Sequence, residues 1–132
     1  MSRDFKYIIV DDDSFNNTIC TMILEDALGE VEIKEFTKPE KGLLFIQENV
    51  KSPVILFLDI NMPTLTGWEF LERYDKFSEE VKMHVSIYML SSSLDWRDKD
   101  KAKANKYVKG FISKPLEFET VISIATGEFQ AQ

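Results

Sequence analysis

The chain has 132 residues, 44% of them hydrophobic, with 5 Gly, 4 Pro and no low-complexity tract, which fits one globular domain and excludes disordered and fibrous classes. A formal net charge of -7 argues against direct nucleic-acid binding, which needs a basic face to displace counterions from phosphates. The lone Cys20 excludes a disulfide framework, and no stretch approaches a signal peptide or the ~18 apolar residues of a membrane span, so a cytoplasmic location with no membrane partner is expected.

Short apolar runs alternate five times with longer amphipathic segments, the pattern of βα units on a parallel sheet. YIIV (7–10) opens the series as a strand apolar enough to be buried on both faces. Behind it, Phe15, Ile19, Met22, Ile23 and Ala27 recur at helical spacing, with Ser14 placed to cap the start and Gly29 to end the helix. VEIKEF (31–36) alternates apolar with charged residues and suits an edge strand. Pro39 fits the first turn of a second helix whose buried side is Leu43, Leu44 and Ile46. VILFL (54–58) predicts a central strand, and a third helix from about Gly67 turns Phe70, Leu71, Tyr74 and Phe77 inward. VSIYML (85–90) is again central. The fourth helix, 95–107, is strongly charged, with little to bury beyond Trp96, Ala102 and Tyr107, so its packing is weak. GFIS (110–113) is a short outer strand, and the fifth helix puts Phe118, Val121, Ile122, Ala125 and Phe129 on one stripe. A single domain over residues 1–132, with no output domain, is expected.

In an open parallel α/β sheet, ligands bind outside the carboxyl ends of the strands. Asp11, Asp12 and Asp13 follow the first strand, Asp59 and Asn61 the third, Ser91, Ser92 and Ser93 the fourth, and Lys114 the fifth. These residues share one edge of the sheet. Two carboxylates ~4 Å apart repel by about 4 kcal/mol at an effective dielectric near 20, so crowded acids call for a counter-charge. Hard oxygen ligands with several acids are what Mg²⁺ recognises. A metal, a hydroxyl at Ser91 and an ammonium at Lys114 could each bind one oxygen of a phosphoryl group, which leaves Asp59 as the nucleophile.

The chain resembles the CheY-like receiver domains of two-component response regulators over nearly its whole length. IIVDDD matches the acidic pair, FLDINMPTLTGWEFL the phosphoacceptor segment with its D-x-x-M-P-x-x-x-G pattern, YMLSSS the hydroxyl position and GFISKP the lysine-proline end of the fifth strand. The resemblance implies a doubly wound, flavodoxin-like (βα)5 fold with strand order 2-1-3-4-5. It implies Asp59 as phosphoaspartate, Mg²⁺ held by Asp12, Asp59 and the main-chain carbonyl of Asn61, and Asp11 acting largely through metal-bound water. Ser91 and Lys114 would contact the phosphoryl group, and Phe111 would take the place of the family's switch aromatic, lacking the hydroxyl of the usual Tyr. The Lys114–Pro115 bond is expected cis, as in many relatives. The function implied is that of a signalling switch. A sensor histidine kinase or phosphotransfer protein would supply the phosphoryl group. A downstream protein would read the face made by the fourth helix, fifth strand and fifth helix, and a phosphorylation-dependent dimer is one form that output could take.

Two other functions share some of these residues. A phosphatase resembling the haloacid dehalogenase superfamily would use Asp11 as nucleophile and Asp13 as general acid, but Phe15 stands where that motif wants Thr or Val, and no acidic pair follows Lys114. A binding module, either a flavodoxin-like cofactor carrier or a receiver that no longer phosphorylates, is the third reading. The acidic loop after the first strand would repel a flavin phosphate. Asp13 is read as a solvated residue at the start of the first helix, His84 as structural, and Cys20 as a small core residue. Trp68, Trp96 and Tyr107 serve either packing or partner contact, and Ser93 caps a loop or, with the Asn61 side chain, tunes access of water to the phosphoryl group.

Overall fold

A computed structural model describes residues 6–93 and 95–130. Five strands, β1 (Lys6–Val10), β2 (Ile33–Phe36), β3 (Val54–Asp59), β4 (Val85–Ser91) and β5 (Val108–Ser113), form one parallel sheet in the order β2-β1-β3-β4-β5. This is the expected doubly wound order. Every residue of β3 is buried, whereas β2 and β5 at the edges expose part of theirs, as their mixed sequences require.

The period-two alternation of the strands divides the core into two layers. Ile8, Val10, Leu56, Leu58, Ile87 and Met89 face one side, which α2 (Pro39–Asn49) and α3 (Gly67–Tyr74) cover with Leu43, Ile46, Phe70, Leu71 and Tyr74. Tyr7, Ile9, Ile55, Phe57, Tyr88 and Leu90 face the other, covered by α1 (Ser14–Leu28) and α6 (Phe118–Thr126) through Cys20, Leu24, Val121 and Ile124. Each fully buried Leu, Ile or Phe contributes about 1.5–3 kcal/mol of transfer free energy, so this double layer holds the strand ends in register.

The helices depart from the sequence reading in instructive ways. A one-turn helix, α4 (Glu79–Lys82), was not expected. The Ser78 hydroxyl accepts from Val81 N–H at 3.3 Å, and Glu79 and Glu80 sit at its positive end. The charged helix is α5 (Trp96–Ala104), where Ala102 is buried and Trp96 is 68% exposed. On α1 the buried positions are Asn17, Cys20 and Leu24, while Phe15 and Met22 point to solvent. The inward face is turned away from Phe15 because a polar residue, Asn17, belongs to it. Leu44 and Phe118 are likewise exposed, and Ile124 takes the buried place expected of neighbours on its stripe. Asp13, not Ser14, caps α1: its carboxylate accepts from Phe15 and Asn16 N–H. Gly29 ends that helix with φ of 80°.

Candidate functional site

The carboxyl ends of β1, β3, β4 and β5 bring Asp11, Asp59, Ser91 and Lys114 together. Asp11 directly follows β1, Asp59 and Ser91 are the last residues of β3 and β4, and Lys114 directly follows β5. Parallel pairing sets Asp59 opposite Leu90 and Ser91 opposite Ser113, so these ends lie at one level. Among the described residues, the buried polar ones are Asp11, Asp59, Ser91 and Asn17. Buried charges need partners, and here they have them.

The Lys114 ammonium bridges the two acids, 2.7 Å from Asp11 Oδ2 and 3.1 Å from Asp59 Oδ1. Asp11 Oδ2 also accepts from Asn16 Nδ2 at 2.8 Å, and its Oδ1 accepts from Asp13 N–H at 2.9 Å. Asn17 Nδ2 donates to the Asp11 carbonyl at 3.0 Å. Asp11 is thus held from every side, with both oxygens engaged and no exposure, which is a poor state for an attacking nucleophile and counts against the phosphatase reading. The Asp59 carboxylate is held more lightly, through Lys114. Burial first, and the nearby Asp11 charge second, push its carboxyl up to about 6, against the pull of Lys114. Burial by itself would lower Lys114, but hydrogen bonds and attraction from Asp11 and Asp59 outweigh it and leave the ammonium more basic than usual.

Asp12 is exposed at the mouth of the site, and one oxygen from each of Asp11, Asp12 and Asp59 lies within 4.8 Å of the others. Three carboxylates against one ammonium leave an excess of negative charge on hard oxygen donors, so the residues present fit a small divalent cation. Asn61 is exposed two residues beyond β3 on the same edge. The Ser91 hydroxyl is engaged with the loop it starts, donating to the Ser93 carbonyl at 2.6 Å and accepting from Ser93 N–H at 3.2 Å. Ser92 and Ser93 are exposed. Phe111 is half-buried and packs toward the α2–α3 layer beside Met89, and the Lys114–Pro115 bond is cis.

Asp13 stands apart from the other acids, as expected, because its carboxylate is taken up by the α1 cap. The sequence reading missed Asn16 and Asn17, which position Asp11. Their signal was two adjacent amides five and six residues after Asp11, one falling on the helix face that should be apolar. It placed Gly67 at the start of the third helix and in the D-x-x-M-P-x-x-x-G pattern, but missed what the position packs against. A Cβ there would lie 2.7 Å from the Asp59 carbonyl oxygen and 3.0 Å from Ile60 Cα, so only glycine lets α3 start this close to the end of β3. Cys20 is fully buried, and burial chiefly pushes its thiol up to about 12, consistent with a packing role.

Comparison with known proteins agrees with this geometry. No curated protein matches the sequence. Among solved structures, a two-component response regulator from Cytophaga hutchinsonii superposes with a TM-score of 0.86 at 28% identity, covering 96% of this chain and 97% of that one. A response regulator receiver protein from Dyadobacter fermentans gives a TM-score of 0.86 at 24% identity over 96% and 99% of the two chains. The chemotaxis response regulator CheY4 of Vibrio cholerae gives 0.74 at 23% identity over 94% and 98%. The model of the response regulator receiver domain matches residues 7–126, and the chain belongs to that family.

Proposed function

We propose that this receiver domain accepts a phosphoryl group on Asp59 from a phosphohistidine of a sensor kinase or phosphotransfer protein, and passes the signal to a partner protein. The observation that carries the reading is the convergence of Asp11, Asp12, Asp59 and Lys114 at one sheet edge, with a single acid, Asp59, both buried and lightly held.

In the transfer, an Asp59 carboxylate oxygen attacks phosphorus in line, the P–N bond to the donor imidazole breaks, and an acyl phosphate forms. Lys114 keeps its proton throughout. Its ammonium loses Asp59 as a partner and gains a phosphoryl oxygen, while Asp11 at 2.7 Å keeps it in place. The Ser91 hydroxyl exchanges its bond to the Ser93 carbonyl for one to the phosphoryl group. Freed of that bond, the loop from Ser91 carries α5 to a new position, and the half-buried Phe111 follows. Hydrolysis of the acyl phosphate restores the carboxylate and resets the switch. Asp11, Asp12, Asp59 and the Asn61 carbonyl would hold Mg²⁺, which when bound neutralises charge on the phosphoryl oxygens. The output surface is the face of α5, β5 and α6, and a phosphorylation-dependent dimer through it is one mode of output. A cytoplasmic location belongs to this reading, and no described helix is long and apolar enough to cross a membrane.

The test is incubation with Mg²⁺ and acetyl phosphate, followed by mapping of a hydroxylamine-sensitive phosphate. Label at Asp59 that Asp59→Asn abolishes is the expected result. Label at Asp11 would restore the phosphatase reading, and no label with any phosphodonor would make the domain a binding module only.

A further inference from the structure

Away from the acidic edge, α3 and α5 enclose an open groove of about 650 Å³. Its α3 wall carries Trp68, Glu72 and Asp75, and the opposite wall carries Lys101, Lys106 and Tyr107. The volume lies within the range that seats a ligand or an anchoring side chain. Polar ties span it. Trp68 Nε1 donates to Asp98 Oδ1 at 3.2 Å, and Lys101 Nζ lies 5.6 Å from the Trp68 ring centroid. Tyr107 is pinned by its hydroxyl contact with Asp75, by Lys82 Nζ at 3.1 Å and by edge packing on Tyr74 at 5.2 Å.

Charge is distributed unevenly around this groove. Its charged lining is divided between the walls, Lys101 and Lys106 on one and Glu72 and Asp75 on the other, and the segment that carries the basic wall, Trp96 to Lys109, has six basic residues and two acidic ones. Asp98, one of those two acids, is already bonded to Trp68. On the other wall, the Asp75 carboxylate is engaged by Tyr107, and Glu72 is exposed. An incoming anion therefore meets attraction from α5 and repulsion from Glu72. We infer that the α3–α5 groove is a docking site for an acidic segment of a partner protein, with one apolar or aromatic anchor seated between Trp68 and Tyr107 and carboxylates turned toward Lys101 and Lys106. A polyphosphate backbone fits less well, because the acids interleaved on α5 and lining α3 break any continuous basic track. Discrete carboxylates beside an apolar anchor suit that mixture.

Both walls hang from the acidic site. Trp68 follows Gly67, whose N–H donates to the Ile60 carbonyl at 2.8 Å and whose α-carbon abuts the Asp59 backbone. α5 follows the loop that starts at Ser91. Resting on the phosphoacceptor reading, the groove changes width when Asp59 is modified, and by linkage an occupant changes the ease of that modification.

The experiment is an amide NMR titration of the full chain carrying Trp96→Phe, so that Trp68 is the only indole. The probe is a synthetic twelve-residue peptide of Glu and Asp around one central Phe. Expected are shifts at the Trp68 indole and at the amides of Lys101 to Tyr107, with affinity falling about tenfold in Lys101→Glu/Lys106→Glu and falling similarly as salt is raised. With Mg²⁺ and acetyl phosphate the affinity changes, and that change is lost in the Asp59→Asn variant. Shifts confined to other faces, equal binding of a peptide with Lys in place of each acid, or tighter binding of a single-stranded oligonucleotide or an anionic vesicle would overturn the inference. Phosphate on Asp59 without peptide binding overturns the groove alone. Peptide binding without any phosphate on Asp59 overturns the phosphoacceptor reading alone.

Discussion

Replacing Asp59 by an asparagine should stabilise the metal-free protein at neutral pH, because the fold holds this carboxylate at a cost. Its carboxyl is raised from 3.8 to about 6, by burial and then by Asp11. That difference corresponds to about 3 kcal/mol by which folding disfavours the ionised form. Since the folded-state value is the higher one, the folded protein binds more protons than the unfolded chain between pH 3.8 and about 6. Stability therefore falls as pH rises through that window, and the full cost is present above about pH 7. The amide of the Asp59→Asn variant removes the charge but keeps an acceptor for Lys114, which in any case retains Asp11 at 2.7 Å. After some loss of attraction to Lys114, a net gain of about 1–3 kcal/mol is expected at about pH 7.5, or roughly 4–10 °C in melting midpoint for a domain of this size. The assay is urea denaturation in EDTA at about pH 7.5 and about pH 4, at micromolar protein because the isoelectric point lies near 4.8. The gain should be much smaller at the acidic pH, which lies near the bottom of that window and where the folded protein carries Asp59 protonated. Adding millimolar Mg²⁺ at the higher pH should narrow it from the other side, since only the wild type gains much binding free energy. A variant less stable than wild type at the higher pH, or a gain unchanged at the lower one, would refute the account.

Asp12→Ala should abolish Mg²⁺ binding measured by calorimetry, together with phosphorylation. Asp13→Ala should leave both nearly intact and cost about 1 kcal/mol in denaturation, as expected for loss of an N-cap. Lys114→Met should destabilise the fold by roughly 2–4 kcal/mol at neutral pH, since two buried carboxylates lose their shared counter-charge, and Mg²⁺ should recover part of that loss. Gly67→Ala should cost about 2 kcal/mol or more and slow labelling of Asp59. Its Cβ would meet backbone atoms at 2.7 and 3.0 Å that cannot swing aside, so a variant as stable and as reactive as wild type would contradict the packing. The Cys20 thiol should react with a water-soluble disulfide reagent only at the rate of unfolding, whereas a rapid reaction in the native state would show its surroundings to be open.

The strands, and which of them are central or at the edge, could be read because a fully buried parallel strand leaves a continuous apolar run, as VILFL does, whereas the order 2-1-3-4-5 came from the family resemblance. The residues that end those strands were equally legible: topology alone puts Asp11, Asp59, Ser91 and Lys114 on one edge, and the structure places them there. Helix faces were less legible. On α1, hydrophobicity pointed to Phe15 and Met22, but the helix turns Asn17 inward to bond the Asp11 carbonyl. A polar demand from the site fixed the phase of the helix, and apolar side chains were left outside to suit it. The same demand explains why three adjacent acids had three different fates. Asp11 is immobilised by Asn16, Asp13 N–H and Lys114, Asp12 stays exposed at the mouth, and Asp13 is consumed by the helix cap that presents Asn16 and Asn17. Sequence periodicity carries no record of such an arrangement, because it depends on which donors the folded chain aims at a carboxylate. The short helix α4 escaped notice for a related reason: only its cap and charges mark it, and none of its residues is buried. Where burial drives structure, the sequence is periodic and readable. Where hydrogen bonds to a charged site drive it, the apolar pattern misleads in proportion to how much polar surface the site draws into the core.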